Sequence, residues 1–326
     1  MQKILITGAA GQLGIELINA LIPVYGAENI LATDINPDAA SKFSDTNFLS
    51  VNAMDADYLD KIVNEYKIDQ VYHLAAILSA NGEQNPLATW EVNMKSLLIV
   101  LELARKYKLK VFWPSSIAVF GRGTQRQNTP QNPGTIPNTV YGISKQAGEQ
   151  WCNYYAEKFN VDVRSIRYPG LISYSSPPGG GTTDYAVDIF HKAVCNQNYE
   201  CFLSEETRLP MMYMPDAVRA TLELMQSDFK KIKTRTSYNI SGISFTPAEL
   251  FREIKKHLPE FQISYRPDFR QNIANTWPES IDDSIARIEW GWKPKYDLSK
   301  MTLNMLKNIN KKRNRQGSSN LLISIL

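Results

Sequence analysis

Tyr141 and Lys145 lie four residues apart in the segment YGISK, a spacing that places two side chains on one face of a helix. Tyrosine normally ionises near pH ~10 and is a poor base at neutral pH. A neighbouring lysine ammonium favours the phenolate and would bring it into a useful range. The spacing alone is common, so the pair predicts a proton acceptor only if other residues support it.

Ser116 supplies such support, because it ends the predicted strand KVFWPSS 25 residues before Tyr141. Ligands of open α/β sheets bind at the carboxyl ends of the strands. The Ser116 hydroxyl could therefore hold a substrate oxygen and share the moving proton. Together with Tyr141 and Lys145, it predicts a site for proton transfer to or from a hydroxyl group.

The segment TGAAGQLG contains Gly8, Gly11 and Gly14 between the predicted strand KILITG and the predicted helix QLGIELINALI. Such glycines let the backbone turn tightly and approach a pyrophosphate, which then lies at the positive end of the helix. Asp34 closes the second predicted strand, NILATD, 20 residues after Gly14. A carboxylate there binds ribose hydroxyls and repels a 2′-phosphate, which favours NAD over NADP. A simple turn aspartate at the strand end is the alternative for Asp34.

Apolar strands alternate with helices through the first half of the chain. This pattern predicts an α/β fold with a doubly wound parallel sheet, the Rossmann fold, covered by helices on both faces. After Gly170 the alternation loosens into short strands and helical patterns such as YAVDIFHKAV. We therefore expect an NAD-binding domain over residues 1–170, with contributions from later segments, a smaller C-terminal α/β substrate-binding lobe over residues 171–310, and a disordered tail over residues 311–326.

The composition excludes several classes of protein. Of the 326 residues, 43% are hydrophobic and 21% are charged, as in ordinary globular enzymes. The net charge is only +3, and the basic segment KNINKKRNR has no interleaved aromatic residues, so no nucleic-acid partner is expected. The three cysteines form no Cys-x-x-Cys pair, which argues against disulfides and structural zinc. Without a signal peptide or a long apolar run, we expect a cytoplasmic protein with no membrane partner.

The motifs above, with HLAA and Asn93 in EVNMKS, stand in the order and spacing of the extended short-chain dehydrogenases/reductases, which the chain resembles. The resemblance implies a catalytic tetrad of Asn93, Ser116, Tyr141 and Lys145. In it, Asn93 holds a water beside Lys145, and Lys145 lowers the pKa of Tyr141 and binds the nicotinamide ribose. A helix cap is the alternative role for Asn93. The NAD-binding residues implied by the resemblance are Gly8, Gly11, Gln12, Leu13, Gly14, Asp34, Asp55, Leu74, Ala75, Ala76, Asn93, Tyr141, Lys145 and Tyr168.

Within this superfamily, downstream segments such as LPMMYMPDAVRA and WPESIDDSIARIEWGWKPKYDLSKMT resemble the L-threonine 3-dehydrogenase group. The similarity extends from about residue 1 to about residue 310. It implies a metal-independent, NAD-dependent oxidation of L-threonine at the 3-hydroxyl to 2-amino-3-oxobutyrate. Nucleotide-sugar members typically carry an RDFIHVDD-like segment where this chain has RLPMMYMPD. The alternatives to L-threonine oxidation are the function of a nucleotide-sugar epimerase or dehydratase and that of a catalytically silent NAD-sensing regulator.

The segment PPGGGTTDY follows the strand VDVRSIRYPG and is placed to close over the substrate. Its glycine amides and the hydroxyls of Thr182 and Thr183 suit a small carboxylate, and its glycines permit hinge motion. A surface linker is the alternative for this segment. The expected substrate-binding residues are Ser79, Ser116, Tyr141, Gly180, Thr182 and Trp277.

We also expect a homodimer. Residues 93–107 and 141–159 form predicted helices with long apolar faces, and in the resembling family these helices pair across a two-fold axis.

Overall fold

In the computed structural model of the chain, residues 2–175 and 181–315 are described. The strands of the first half are β1 (Ile4–Thr7), β2 (Ile30–Asp34), β3 (Asn47–Ser50), β4 (Gln70–His73), β5 (Lys110–Ser116) and β6 (Asp162–Tyr168). The helices of the same half are α1 (Gln12–Tyr25), α2 (Ala56–Glu65), α3 (Ser79–Gly82), α4 (Pro86–Tyr107) and α5 (Val140–Phe159).

The second half contains shorter elements. Its strands are β7 (Gly170–Ile172), β8 (Tyr199–Cys201), β9 (Leu209–Tyr213), β10 (Tyr238–Asn239), β11 (Ile243–Phe245) and β12 (Ile263–Tyr265). Its helices are α6 (Tyr185–Val194), α7 (Met214–Gln226), α8 (Pro247–Lys255), α9 (Phe269–Ala274), α10 (Ser284–Trp290) and α11 (Leu298–Arg315).

Seven strands form the main sheet in the order β10-β6-β5-β4-β1-β2-β3, and every pair in it is parallel. The strands β1, β4 and most of β2 are fully buried, because helices cover both faces of the sheet. The predicted doubly wound parallel sheet is confirmed. The chain order reverses between β1 and β4, and a crevice at the carboxyl ends of the strands is expected at this switch point.

The second half is divided between the main sheet and two small sheets. β7, β9 and β11 form one small sheet, and β8 pairs with β12 in the other. α6, α8 and α11 pack together beside them around a core that includes Phe190, Leu250 and Met305. By contrast, β10 pairs with β6 and α7 packs against α1 and β6, so late segments complete the main sheet and its helical cover.

The last helix, α11, continues to Arg315, five residues into the segment that the sequence predicted as a tail. Within the described ranges, no helix is long and apolar enough to cross a membrane.

Candidate active site

A cavity of about 630 Å³ lies along the carboxyl ends of β1, β4, β5 and β6, where the chain order of the sheet reverses. Most of the residues predicted from the sequence line it. They are Gly8, Gly11, Gln12, Leu13, Gly14, Asp34, Leu74, Ala75, Ala76, Ser79, Ser116, Tyr141, Lys145, Tyr168, Thr182 and Trp277. Asp55 and Asn93 do not line the cavity, and Gly180 lies outside the described residues.

One end of the cavity is formed by the glycine-rich loop. Gly8 has a φ of +68°, and a Cβ there would lie 2.6 Å from the backbone nitrogen of Ala75, so the loops after β1 and β4 touch. α1 begins directly after Gly11, and no described side chain caps its N-terminus. Residues Gln12 to Gly14 of its first turn line the cavity, and the free amide groups of a first turn, with the helix dipole, form a binding site suited to a diphosphate.

Asp34 holds the same loop in place. Its Oδ2 accepts a hydrogen bond from the backbone nitrogen of Ala10 at 2.9 Å, and its Oδ1 accepts one from the nitrogen of Asn36 at 3.1 Å. The second contact is that of a turn aspartate, whereas the first ties the strand end to the phosphate-binding loop. Carboxylate oxygens have lone pairs beyond these two bonds, so this side chain can also accept hydrogen bonds from a ribose.

Lys145 is buried beneath the middle of the cavity. Its Nζ donates to the carbonyl oxygen of Pro114 at 2.6 Å and lies 4.4 Å from the ring centroid of Trp113. Burial lowers the pKa of Lys145 to about 7, although the carboxylate of Glu149 opposes this effect. Burial thus disfavours the charged form of this side chain.

Tyr141 and Ser116 meet across the cavity wall. Burial raises the pKa of Tyr141 to about 12, and its hydrogen bond with Ser116 acts in the opposite direction. The sequence predicted that Lys145 would lower this pKa, but the ammonium is directed to Pro114 and lies 5.6 Å from the centroid of the Tyr141 ring. In this arrangement burial, rather than the lysine charge, dominates the ionisation of the phenol.

The spacing between these two residues is set by a close backbone approach. A Cβ at Gly142 would lie 2.2 Å from the carbonyl oxygen of Ala118, so α5 contacts the short 3₁₀ helix Ile117–Val119 with no side chain between them. Ser116 precedes this 3₁₀ helix, and its Oγ accepts a hydrogen bond from the nitrogen of Ala118 at 3.2 Å. The backbone contact thus places Tyr141 next to Ser116.

The other end of the cavity contains two buried polar atoms without a partner. Thr182 is 1% exposed and Trp277 is 4% exposed. Among the described residues, neither Oγ1 of Thr182 nor Nε1 of Trp277 has a hydrogen-bond partner. Because buried polar groups are nearly always paired, two such atoms beside one cavity indicate a polar or anionic ligand group.

The lining residues that were not predicted from the sequence include two groups of interest. Asp184 lines the cavity beside Thr182 and Thr183, and its Oδ2 accepts a hydrogen bond from the nitrogen of Gly181 at 2.7 Å. Its position directly before the predicted helix YAVDIFHKAV was the available signal. At the opposite end, the unpredicted lining residues follow the short strand β3 or adjoin Asp34, and they are Ile35, Val51, Asn52, Ala53 and Met54.

Asn93 has a different position from the one expected of a cap. The residue lies inside α4, and the cap of that helix is Asn85, so the cap alternative was wrong. The Asn93 amide exchanges two hydrogen bonds with the backbone of Ile77 at 2.8 and 3.1 Å and donates to Ser144 Oγ at 3.1 Å. It thereby fastens the loop after β4 to α5, the helix that carries Lys145.

Asp55 acts locally, because its Oδ1 accepts a hydrogen bond from the nitrogen of Tyr58 at 3.0 Å and caps α2. The described residues contain no group of three or more His, Cys, Asp or Glu side chains that could hold a metal ion.

The fold and the site define a class of proteins. The chain belongs to the NAD dependent epimerase/dehydratase family, whose model matches residues 4–241. The glycine loop, Asp34 and the Tyr141–Lys145 pair all lie within the matched residues.

Individual proteins that are similar to this chain indicate a narrower group within the family. The holo form of the GalE-like L-threonine dehydrogenase from Cupriavidus necator is 55% identical, with a TM-score of 0.93, over 94% of this chain and 99% of that one. A monomeric L-threonine 3-dehydrogenase from a metagenome is 49% identical, with a TM-score of 0.91, over 95% of this chain and 99% of that one. An uncharacterized epimerase/dehydratase of Staphylococcus aureus (strain USA300) is 47% identical over 314 residues, 96% of this chain and 98% of that protein. The predicted resemblance to L-threonine 3-dehydrogenases is confirmed.

Proposed function

We propose that this protein oxidises the 3-hydroxyl group of L-threonine, giving 2-amino-3-oxobutyrate, with NAD as its cofactor. The observation that carries the proposal is the single continuous cavity that joins the glycine-rich loop and Asp34 to Ser116, Tyr141 and the unpartnered donors of Thr182 and Trp277. The similarity to L-threonine dehydrogenases over nearly the whole chain supports the same substrate.

The residues at the loop end of the cavity fit a dinucleotide. The uncapped first turn of α1 would hold the diphosphate, Asp34 would accept hydrogen bonds from the adenosine ribose, and Lys145 would donate to the nicotinamide ribose. The carboxylate of Asp34 disfavours a 2′-phosphate, and its neighbour Ile35 offers no positive charge to such a group, so NAD is preferred. When bound, NAD supplies the hydride acceptor and a positive ring that favours the phenolate.

In the reaction, Tyr141 takes the proton of the substrate hydroxyl while C3 loses a hydride. Ser116 positions the substrate oxygen, because its hydroxyl and Tyr141 both line this part of the cavity. Burial raises the pKa of Tyr141, so the phenolate needs a hydrogen bond from Ser116 or the substrate, and nearby positive charge, to form at neutral pH. Asn93 supports the site indirectly by fastening the loop after β4 to α5.

The far end of the cavity suits the amino-acid part of the substrate. Thr182 Oγ1 and Trp277 Nε1 would donate to the carboxylate, since both are buried without another described partner. The carboxylate of Asp184 would face the ammonium group, and Ser79, which also lines the cavity, would contribute a further hydroxyl. Neutral donors for the carboxylate and an acidic side chain for the ammonium group would together select an α-amino acid over a neutral alcohol.

A substrate panel tests the proposal. The protein is incubated with NAD and with L-threonine, L-allo-threonine, D-threonine, L-serine or a UDP-sugar, and both NADH absorbance and the reaction products are followed. We expect the highest kcat/KM with L-threonine, and 2-amino-3-oxobutyrate as the product. Conversion of a UDP-sugar instead would support the epimerase or dehydratase alternative. Tight NAD binding with no turnover of any compound would support the silent regulator.

We also propose that the protein is a cytoplasmic homodimer. The helices α4 and α5 expose large aromatic side chains, with Trp90 at 42%, Trp151 at 40% and Tyr154 at 48%, and such patches are typical of subunit interfaces. Because one similar enzyme is described as monomeric, the mass must be measured. Light scattering at micromolar concentration should give twice the chain mass, and Trp151→Glu should reduce it to one chain.

A further inference from the structure

Two arginines on β6 each form a two-pronged ion pair with a carboxylate, and one of these pairs is almost fully buried. Arg167 donates through Nε to Glu149 Oε1 at 2.8 Å and through Nη2 to Oε2 at 2.7 Å. The two side chains are 5% and 3% exposed. Neither has a role in the proposed reaction. Burying an ion pair costs much of the attraction that it gains, so stability alone does not explain this pair. The groups hydrogen-bonded to Glu149 and Arg167 indicate what else the pair does.

On one side, the pair is joined to the reacting residues. Glu149 lies one helical turn after Lys145 on α5, and its Oε1 accepts a hydrogen bond from Ser115 Oγ at 2.6 Å. Ser115 is the neighbour of Ser116 at the end of β5. Arg167 directly precedes Tyr168, which lines the cavity at the end of β6. The pair thus joins α5 to the ends of β5 and β6.

On the other side, Arg167 is joined to the loop between β5 and α5. Its Nη1 donates to the carbonyl oxygen of Gln131 at 2.6 Å and to Oδ1 of Asn239 at 3.1 Å. Asn239 in turn donates from its backbone nitrogen to Gln131 Oε1 at 2.9 Å. Gln131 is therefore held at both its backbone and its side chain.

The loop held by Gln131 contacts the segment that contains Trp277, a residue that lines the substrate end of the cavity and is called the Trp277 wall below. Residues 126–129 run beside residues 279–282, with Thr129 N donating to Ser280 O at 2.9 Å and Asp282 N donating to Thr129 O at 3.0 Å. Arg126 Nε donates to the carbonyl oxygen of Trp277 at 3.4 Å. Hydrogen bonds and the short stretches of backbone between them therefore connect Arg167, through Gln131 and residues 126–129, to Trp277.

We propose that Glu149 and Arg167 are positioning residues that hold the Trp277 wall in register with Ser116 and Lys145. The expected effect on L-threonine binding rests on the proposed function, but the positioning of Trp277 by this pair does not. A planar guanidinium can serve the two oxygens of Glu149 and the carbonyl of Gln131 at once, whereas an ammonium group has no such fork. At position 167, an arginine should therefore hold the Gln131 loop better than a lysine, although both carry a positive charge.

Arg167→Lys tests this directly, because it keeps the charge and removes the fork. The loop at Gln131 loses its anchor, so the Trp277 wall shifts relative to Ser116. We expect the KM for L-threonine to rise by about tenfold or more, since displacements of about 1 Å have effects of this size. The Kd for NAD should change less, because the glycine loop and Asp34 do not take part in the hydrogen bonds around Arg167 and Gln131.

Arg164→Lys is the matched control. Arg164 lies on the same strand, is fully buried and forms a two-pronged pair with Asp162 at 2.8 and 3.0 Å. Its remaining bonds go to backbone carbonyls at the end of α7, not to the cavity loop. Both variants should lose thermal stability, but only Arg167→Lys should change the KM. An equal rise in KM in both, or no rise in Arg167→Lys, would overturn the inference.

Amide hydrogen exchange separates this inference from the proposed function. The amides of Thr129 and Asp282 should exchange faster in Arg167→Lys than in the wild type and stay unchanged in Arg164→Lys, whatever the substrate. If Arg167→Lys does not fold, Glu149→Gln, which keeps the shape and one acceptor, should give the same change. Unaltered exchange at both amides in the folded variant would overturn the positioning role even if L-threonine is the substrate.

Discussion

The carboxylate of Asp34 binds the backbone nitrogen of Ala10 at 2.9 Å, so the residue that would read the ribose also organises the glycine-rich loop. Affinity and specificity for the cofactor are therefore coupled through one side chain. A substitution at this position acts both on the loop and on the charge that faces the ribose.

Two substitutions at position 34 separate these effects. Asp34→Asn keeps an oxygen that can accept from Ala10 but removes the charge, so it should narrow the preference for NAD over NADP with a small loss of NAD affinity. Asp34→Ser should narrow the preference too, and lower NAD affinity further because the loop loses its acceptor. The Kd values for both cofactors measure this. Equal catalytic efficiency of the wild type with NAD and NADP would contradict the role of Asp34.

Tyr141→Phe should abolish turnover and leave NAD affinity nearly unchanged, because only the proton acceptor is lost. Lys145→Ala should reduce both turnover and NAD affinity, since this side chain has a role in each. Steady-state kinetics and NAD titration distinguish the two variants. If Tyr141→Phe retained about a tenth or more of the wild-type kcat, Tyr141 would not be the base.

Thr182→Val should weaken substrate binding without harming the ligand-free protein. The change removes a buried hydroxyl that has no partner among the described residues and keeps the shape of the side chain. We expect a loss of roughly 1–3 kcal/mol in kcat/KM for L-threonine and an equal or higher Tm. Thr302→Val is the control, because its Oγ1 is also buried and unpartnered in the described structure but does not line the cavity. Thr302→Val should change Tm but not the kinetics. If the two variants had similar kinetics, the segment around Thr182 would be a surface linker with no role in substrate binding.

Trp277→Phe removes the indole N–H while keeping an aromatic wall. If Nε1 and the Thr182 hydroxyl bind the same carboxylate, the double variant should lose less kcat/KM than the sum of the single losses, as expected for coupled partners. A double-mutant cycle measures the coupling. Strict additivity would indicate that the two donors contact different groups of the substrate.

The stability of the protein at acid pH should depend on His73. This side chain is buried between Thr7 and Ser96, with ring nitrogens 2.7 and 3.1 Å from their hydroxyl oxygens, and burial lowers its pKa to about 3. Below pH ~6.5 the unfolded state binds a proton that the folded state does not, so the free energy of unfolding falls as the pH decreases. The fall is at most about 1.4 kcal/mol per pH unit.

Denaturant titrations between pH 4.5 and 6.5 test this dependence. His73→Asn should be less stable at pH 7, because two hydrogen bonds are lost, but its stability should vary less with pH over this window. Parallel pH profiles for the variant and the wild type would show that His73 is not the group responsible.

The first half of the fold and the centre of the site could be predicted from the sequence because they follow local rules. A parallel sheet brings the ends of successive strands to one edge, so Gly8, Asp34 and Ser116 had to lie near one another once their strands were recognised. The helical spacing of Tyr141 and Lys145 then placed both beside them. β3 was missed because it is short and only half-buried, which weakens its apolar pattern, and its neighbours Asn52 to Met54 were missed with it.

The directions of side chains and the long-range pairings could not be predicted in this way. Nothing local indicates that Lys145 would donate to Pro114, or that Asn93 would bind Ile77 and Ser144. The pairing of β10 with β6 and the run of residues 126–129 beside 279–282 join segments far apart in sequence, and their register depends on the packing of the whole second half. These contacts decide the shape of the substrate end.

Gly142 lies directly against the carbonyl oxygen of Ala118, so the distance between Ser116 and Tyr141 depends on a contact between two backbones. Core residues around α5 can be exchanged for others of similar volume without altering this distance. Any other residue at position 142 would place a Cβ 2.2 Å from that oxygen, so the helix and the 3₁₀ turn would have to move apart. The alignment of Ser116, which positions the substrate oxygen, with Tyr141, which accepts the proton, is thus insulated from sequence drift in the core and vulnerable at one position, where even alanine would misalign it.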